Sequence, residues 1–463
     1  MIKKNHLIEA PYADTAVGGI IETKKSENSN LALNNLRGLV ILIVLLFHSV
    51  LAYLGSQGKS AFPFDSSPYE WRAFPILDSH RWFGFDVFCA SQDVSLMSLM
   101  FFLSALFTWP SLARKRSRKF LGDRFLRLGL PFIFALIVVM PVALYPVYRV
   151  SAADPSLAAY AHHYLALPFW PNGPMWFLWQ LLALNVAAAG LHRFAPRWVD
   201  VLGRLSSSAG GHPGRYFAGL VAASALAYIP LALAFTPWYW TEHGPFALQV
   251  SRSLFYAVYF FAGLGVGAYD LERGLLAPEG MLARRWAVWL SASFGSLCLW
   301  MGLTGLAMSL AASAPLILQV AVDFSFALAC ASGCFFMIAA CVRFGTRQSP
   351  LFESLAKNAF GLYLFHYIFV VWLQYALLGL ALFALAKAMI VFGGTLLLAW
   401  MATVATRFVP FGSLLIGTSQ RVFARALSFP GYSALEANAE NGHRASGRQP
   451  MHVGKSNSAG STS

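Results

Sequence analysis

The sequence predicts an all-α integral membrane protein of about ten transmembrane helices, with both ends of the chain in the cytoplasm. Of its 463 residues, 57% are hydrophobic and only 12% are charged, whereas soluble domains carry roughly 25% charged residues. Apolar runs of about 20 residues recur along the chain, and a helix of that length spans the roughly 30 Å hydrocarbon core of a bilayer. Basic residues gather in alternate loops between these runs.

Ten apolar segments account for the predicted helices. They lie near residues 36–54, 93–112, 127–148, 173–192, 216–236, 251–270, 286–308, 316–342, 355–377 and 383–406. The first has no small-residue cleavage site and is predicted to be a retained helix rather than a signal peptide. The chain is thus divided into a polar cytoplasmic tail over 1–32, a ten-helix membrane domain over 33–407, and a cytoplasmic tail over 408–463 that is predicted to be mostly disordered.

Lys and Arg residues set the predicted orientation. The loops after even-numbered segments contain sixteen of them, and the loops after odd-numbered segments contain four. Because basic residues concentrate in cytoplasmic loops, the even-numbered loops and both termini are predicted to lie inside. The same distribution explains the net charge of +14, which in a soluble protein would suggest nucleic acid, so no nucleic-acid partner is expected.

The cysteines and a glycine-rich run predict helix packing rather than a metal or nucleotide site. Cys330 and Cys334 are one helical turn apart, and no His or Cys cluster at metal-ligand spacing accompanies the five cysteines. No metal is therefore expected. Gly263, Gly265 and Gly267 follow no strand, and small residues four apart let two helices approach closely.

An arginine and a histidine in the first segment form the most informative polar pair. Ionisable groups inside a membrane helix are costly, so each is a candidate functional residue. Arg37 and His48 are eleven residues apart, which is three turns plus about 20° of rotation and about 16 Å of rise. The two side chains therefore share one helix face, with Arg37 at the predicted cytoplasmic end and His48 toward the outer half.

Two further pairs have the spacing of one helical turn. Tyr363 and His366 are i, i+3 neighbours, and two interpretations remain open for them: a catalytic role, or buried hydrogen bonds that hold helices together. Arg124 and Arg127 lie at the inner edge of the third segment. They could contact lipid phosphates, or form a fork that binds a phosphorylated cytoplasmic ligand, because guanidinium groups pair bidentately with phosphate.

Other charges and the outer aromatic residues complete the candidate set. Asp323 in the eighth segment and Lys387 in the tenth could pair with each other inside the membrane. The predicted outer loops over 55–92, 149–172 and 237–250 are rich in Phe, Tyr or Trp. These rings would either form the interfacial belt of a membrane protein or stack against sugar rings outside the membrane.

Several short motifs together resemble the acyltransferase family 3 membrane proteins, over nearly all of residues 34–406. The Arg37…His48 pair is similar to the basic residue, ten residues and His of that family's first helix. The resemblance extends to Phe101-Phe-Leu-Ser104-Ala105, Arg124-Phe-Leu-Arg127 with Leu-Gly-Leu-Pro131, Trp176-Phe-Leu178 and Tyr363-Leu-Phe-His366. Ala105 stands where the family usually has Gly, which affects helix packing rather than the chemistry. The order of the motifs along the helices makes the combination specific.

The resemblance implies an activity and its partners. It implies transfer of an acyl group, often acetyl or succinyl, from the co-substrate acyl-CoA in the cytoplasm to a hydroxyl of an exported glycan, glucan or glycolipid. The reaction would take place in a bacterial-type cytoplasmic (inner) membrane. The long first outer loop and the sequence around Arg124 are most similar to the branch that acts on periplasmic glucans.

The candidate residues fit roles in such a reaction. Arg124 and Arg127 would hold the phosphates of coenzyme A, and the acyl arm would reach along the first helix past Arg37 toward His48. His48 would act as a general base or carry the acyl group as a nucleophile, and both remain open. No His is followed by Asp five positions later, so the partner that orients the base is expected on another helix.

Two other functions remain as alternatives. A transporter or flippase for a polar or anionic solute would use the same charges along a solute path. It favours inverted repeats and helices interrupted near the midplane, and the sequence shows no such pairing of halves. A polysaccharide-assembly scaffold would not need Arg37 and His48 on one helix face.

Overall fold

The computed structural model describes residues 14–58, 61–269, 274–410 and 412–417, with side chains from residue 31 onward. Within these residues, ten helices are long and apolar enough to cross a membrane. We number them spans 1 to 10, and they cover Leu31–Tyr53, Gly84–Arg114, Ser117–Ser151, Gly173–Phe194, Pro213–Phe235, Val250–Tyr269, Trp286–Ser313, Leu316–Phe344, Pro350–Ala376 and Ala384–Thr406. The predicted all-α membrane fold is confirmed, and each predicted segment overlaps one span in the expected order.

The two predicted tails are described only in part. The helix that contains span 1 begins at Asp14, within the predicted polar tail over 1–32. After span 10 the chain forms one more short helix, Gly412–Leu415, in which Leu414 is buried. Residues 418–463, which carry most of the segment predicted to be disordered, lie outside the described residues.

Span 2 begins nine residues earlier than the sequence predicts, at Gly84. Its first turn carries Asp86, whose carboxylate accepts hydrogen bonds from the backbone N–H groups of Gly55 at 2.6 Å and Ser56 at 3.1 Å. The loop that follows span 1 therefore satisfies this charge. The sequence did not predict this part of the helix, because the charged residue Asp86 interrupts the apolar run by which spans are recognised.

Span 3 contains two widened π-helical turns, Phe125–Gly129 and Ala135–Val139. The first turn ends two residues before Pro131, and the second ends two residues before Pro141. Proline lacks a backbone N–H, and its ring meets the carbonyl four residues earlier, so a wider turn relieves the overlap. Single π turns are frequent at functional sites, and the first of these contains Arg127.

A β-hairpin distinguishes the two ends of the helix bundle. Strands β1 (Trp240–His243) and β2 (Phe246–Gln249) pair antiparallel between spans 5 and 6, with Trp240 opposite Gln249. The side-chain amide of Asn172 donates to the carbonyl of Pro245 at 2.9 Å, which ties the hairpin to the loop before span 4. We call this the hairpin end, which the charge distribution predicts to be outside, and the opposite end the basic end.

The helices differ in how deeply they are packed. Only 6% of the apolar window of span 7 is buried, against 72% for span 8, so span 7 lies at the periphery and packs mainly on span 8. Span 1 contacts spans 2, 8, 9 and 10 and is therefore central. The shorter helices at the two ends are Leu157–Leu165, Pro196–Ser207 and Met281–Arg284.

The glycine-rich run of span 6 packs directly on span 2, as predicted. A Cβ atom at Gly263 would overlap the carbonyl oxygen of Phe102, and one at Gly267 would overlap that of Leu106. The absence of side chains at these two positions thus lets the backbones touch, which is the packing expected for small residues four apart.

The intramembrane charges pair differently from the prediction. Nζ of Lys387 lies 2.6 Å from Oδ2 of Asp78, and both side chains are completely buried. Asp323 is also buried, on span 8, but the ion pair of Lys387 is with Asp78, so the pairing that the sequence left open does not form. Asp78 lies in the loop between spans 1 and 2. The sequence-based search considered only charged residues inside apolar segments, so it did not include Asp78.

The aromatic residues of the predicted outer loops divide into two groups. Phe64 and Trp71 are buried and stack with ring centroids 4.9 Å apart, which makes them part of a loop core rather than a belt or a sugar platform. Trp82, Trp170 and Trp238 are exposed, so both interpretations stay open for these three rings.

Candidate active site

His48 lies near the hairpin end of span 1, in a helix that continues without a break from Asp14 to Val50. Its Nδ1 is 2.8 Å from the carbonyl oxygen of Val44. Because a carbonyl oxygen only accepts, Nδ1 carries the proton and Nε2 is left as an acceptor. The expectation that another helix orients this ring was wrong, since the partner is the backbone of the preceding turn.

A second helix holds the backbone at the same point. The side-chain amide of Gln374, on span 9, donates to the carbonyl of His48 at 2.9 Å and to that of Ser49 at 3.2 Å. The last carbonyls of a helix have no partner within the helix, so this amide satisfies them and fixes the end of span 1. Gln374 did not emerge from the sequence, because a single glutamine in an apolar helix has many structural roles.

His48 forms part of the wall of a cavity of about 150 Å³ between spans 1, 2, 4, 6 and 9 and the hairpin. The other polar or aromatic residues of the wall are Phe47, Gln92, Asp93, Trp176, Trp240, Gln249, Arg252, Tyr256 and Tyr363. Apolar side chains and one proline complete it: Val44, Leu96, Met97, Met100 and Pro174. Such a mixture of apolar walls and a few polar groups is typical of a small-molecule site.

An ion pair between a buried arginine and a partly exposed aspartate lies in the same cavity wall. The guanidinium of Arg252 forms a fork on the carboxylate of Asp93, with Nη1–Oδ1 at 2.9 Å and Nη2–Oδ2 at 2.6 Å. Neither residue was predicted, although Asp93 is the first residue of predicted segment 2 and Arg252 is the second residue of predicted segment 6. Opposite charges at the starts of two predicted segments were the available signal, but nothing in the sequence joins residues 159 positions apart.

Tyr363 and His366 occupy different places. Tyr363 lines the cavity, and its hydroxyl donates to the carbonyl of Pro174 at 2.5 Å. His366 is fully buried behind His48, with ring centroids 4.9 Å apart. Its Nδ1 is 2.6 Å from the carbonyl of Tyr363, and its Nε2 has no hydrogen-bond partner among the described residues. The two predicted histidines are thus brought together.

The three predicted arginines lie apart from this cavity, at the basic end. Arg37 places its guanidinium over the ring of Phe107 at 4.6 Å, and Arg124 does the same over Phe120 at 5.0 Å. Arg127 is close enough to repel the charge of both Arg37 and Arg124. None of the three forms an ion pair within the described part of the chain, and such a cation cluster favours a bound anion.

Packed apolar side chains separate the arginine cluster from the cavity. Arg37, Ile41, Val44 and His48 follow one another along a single face of span 1. Ile41 and Val44 are both buried, and Val44 forms part of the cavity wall. The shared helix face is therefore as predicted, but the structure does not bring Arg37 into the same cavity as His48.

The ten long apolar helices found among the described residues define a multi-pass membrane protein. The family model described as an acyltransferase domain matches residues 30–404, which include almost all of the ten spans. The chain therefore belongs to acyltransferase family 3, as its motifs predicted, and it is a membrane acyltransferase. No curated protein and no solved structure matches the chain.

Proposed function

We propose that this enzyme moves an acetyl or succinyl group from cytoplasmic acyl-CoA to a hydroxyl of an exported glycan, glucan or glycolipid, in a bacterial cytoplasmic membrane. One observation carries the proposal: a single helix face presents the imidazole of His48 to a cavity at the hairpin end and the guanidinium of Arg37 to a cation cluster at the basic end. With the hairpin end outside, as the loop charges predict, the acceptor enters from outside and the donor from the cytoplasm.

The orientation of His48 supports a role as the base. Its Nδ1 proton is held by Val44, so Nε2 is the nitrogen that can take a proton. In the proposed reaction Nε2 removes the proton of the acceptor hydroxyl, and the oxygen attacks the thioester carbonyl. A C–O bond forms, the C–S bond breaks, and the departing thiolate receives the proton. A positioned base of this kind contributes about 10²- to 10⁴-fold to the rate.

The same nitrogen also suits a two-step route. Nε2 of His48 would attack the thioester carbonyl, so that an N–C bond forms, the C–S bond breaks and coenzyme A leaves as a thiolate. The acceptor oxygen would then attack the acyl group, the N–C bond would break, and the hydroxyl proton would neutralise the charge of the departed thiolate through solvent. The routes differ in whether label stays on the protein. Incubation with labelled acetyl-CoA in the absence of acceptor, followed by intact-mass measurement, finds an added acetyl group only for the two-step route.

The arginine cluster suits the donor. The phosphates of coenzyme A are anions, and Arg37, Arg124 and Arg127 present three cations that form no ion pair among the described residues. An extended pantetheine arm has about a dozen backbone bonds, which at roughly 1.2 Å per bond gives about 15 Å. That length is close to the roughly 16 Å rise from Arg37 to His48, so parting of the side chains around Ile41 and Val44 would let the thioester reach His48.

The test uses purified protein in lipid nanodiscs, labelled acetyl-CoA or succinyl-CoA, and glycans isolated from the cell surface. His48→Ala is expected to abolish transfer of label to glycan while the protein remains folded. His162→Ala is the matched control, because His162 is an exposed histidine at the hairpin end, outside the cavity. Retained turnover in His48→Ala would remove the assigned role of this residue.

A further inference from the structure

We propose that Asp93, held in place by Arg252, orients the acceptor, and that the acceptor is a neutral sugar ring with a free hydroxyl next to the one that receives the acyl group. This inference rests on the proposed function of the cavity around His48. It names the chemical class of the acceptor and a positioning residue that the family motifs in the sequence do not include.

The ion pair is arranged so that the carboxylate faces the cavity. The side chain of Arg252 is 4% exposed, whereas that of Asp93 is 34% exposed. Each carboxylate oxygen accepts one hydrogen bond from the guanidinium, and a carboxylate has about four lone-pair positions in all. The remaining positions are therefore open to donors in the cavity.

Arg252 is itself held rigidly from behind. The ring of Phe326 lies 4.9 Å from its guanidinium carbon, and Nη1 is also within 3.4 Å of the backbone carbonyl of Asp93. A two-point fork fixes both the position and the plane of the carboxylate. Because the orientation is fixed before the acceptor arrives, little conformational entropy is lost when an acceptor hydroxyl binds.

Aromatic rings line the cavity beside this carboxylate. Trp176 stacks on Tyr256 with ring centroids 5.7 Å apart, and Trp240 meets Trp176 edge to face at the same distance. Trp240 is partly exposed on the hairpin. Flat aromatic faces can cover the apolar C–H face of a sugar ring while the rim of the ring donates hydrogen bonds to polar groups.

The side-chain amide of Gln249, in the cavity wall, also favours an acceptor with several hydroxyl groups. The NH₂ group of Gln249 donates to the carbonyl of Pro237 at 2.5 Å, which leaves its carbonyl oxygen to accept. Asp93, Gln249 and Nε2 of His48 thus all offer acceptors to the cavity, and a polyhydroxylated ring supplies matching donors. A phosphorylated or carboxylated acceptor would instead meet the charge of Asp93, and a simple lipid alcohol has no second hydroxyl to donate.

The experiment measures acyl transfer from labelled acetyl-CoA to methyl glycosides of glucose, galactose, mannose and rhamnose, and then to monodeoxy analogues of the best one. We expect the wild-type protein to discriminate against the analogue that lacks the neighbouring hydroxyl by about tenfold or more in kcat/KM, as for the loss of a hydrogen bond to a charged group. In the double variant Asp93→Asn with Arg252→Gln, this discrimination should fall toward onefold, while KM for acetyl-CoA stays unchanged.

The double variant removes both charges, because Asp93→Asn alone would leave the buried Arg252 guanidinium without its partner, which destabilises the fold. Asp86→Asn is the matched control: this carboxylate lies on the same span but outside the cavity, and its loss should leave the discrimination as in the wild type. The inference is overturned if the double variant keeps the full discrimination, or if the wild type acylates only an amine, a phosphosugar or an alkyl alcohol. If the wild-type protein acylates no acceptor at all, both this inference and the proposed function are overturned.

Discussion

The rings of His48 and His366 lie with centroids 4.9 Å apart and planes inclined by 63°. Each ring donates through Nδ1 to a carbonyl of its own helix, so each presents Nε2 as an acceptor. Nε2 of His366 is buried and has no partner among the described residues. We expect this buried lone pair, next to the His48 ring, to stabilise the positive charge that His48 gains when it takes a proton.

This relationship predicts that His366 supports catalysis rather than only the fold. His366→Phe keeps the ring volume but removes the lone pair, and it should lower kcat about tenfold, equal to about 1.4 kcal/mol, without changing KM for either substrate. Steady-state kinetics in nanodiscs measure this. Gln374→Leu is the comparison, since Gln374 lies on the same span, outside the cavity, and its loss removes hydrogen bonds that hold the end of span 1. Unchanged kcat together with a lower unfolding temperature in His366→Phe would assign His366 a purely structural role.

Local pattern predicted the helices and the shared face of Arg37 and His48, because both depend on hydrophobic runs and on a 100° rotation per residue. The close packing at Gly263 and Gly267 also follows from residue size alone. The ion pairs Asp93–Arg252 and Asp78–Lys387 were not predicted. They join distant helices and a loop, and single-sequence patterns contain no information about which apolar helices are neighbours.

The donor site gives a second prediction. Arg127→Ala should raise KM for acetyl-CoA roughly tenfold or more, since hydrogen bonds to charged groups contribute about 1.5–3 kcal/mol. KM for the acceptor should not change, because Arg127 lies outside the cavity. Arg197→Ala is the control, as Arg197 is an exposed arginine in the helix Pro196–Ser207. Equal effects of the two substitutions would show that general positive charge, rather than the cluster, attracts the donor.

The ion pair between Lys387 and Asp78 gives the third prediction, on stability. Lys387→Met removes the lysine from the buried Asp78 carboxylate, which keeps only the ring and the backbone N–H of His80 as partners. Breaking a buried pair costs about 3–5 kcal/mol, so the thermal unfolding midpoint in detergent should fall sharply. The double variant with Asp78→Asn removes both charges and should recover most of the loss, because the amide can still accept from the backbone N–H of His80. Lys357→Ala, which breaks the exposed pair with Glu353, should cost less than about 1 kcal/mol. If the double variant is no more stable than Lys387→Met alone, the loss comes from packing around the lysine stem rather than from an unpaired charge.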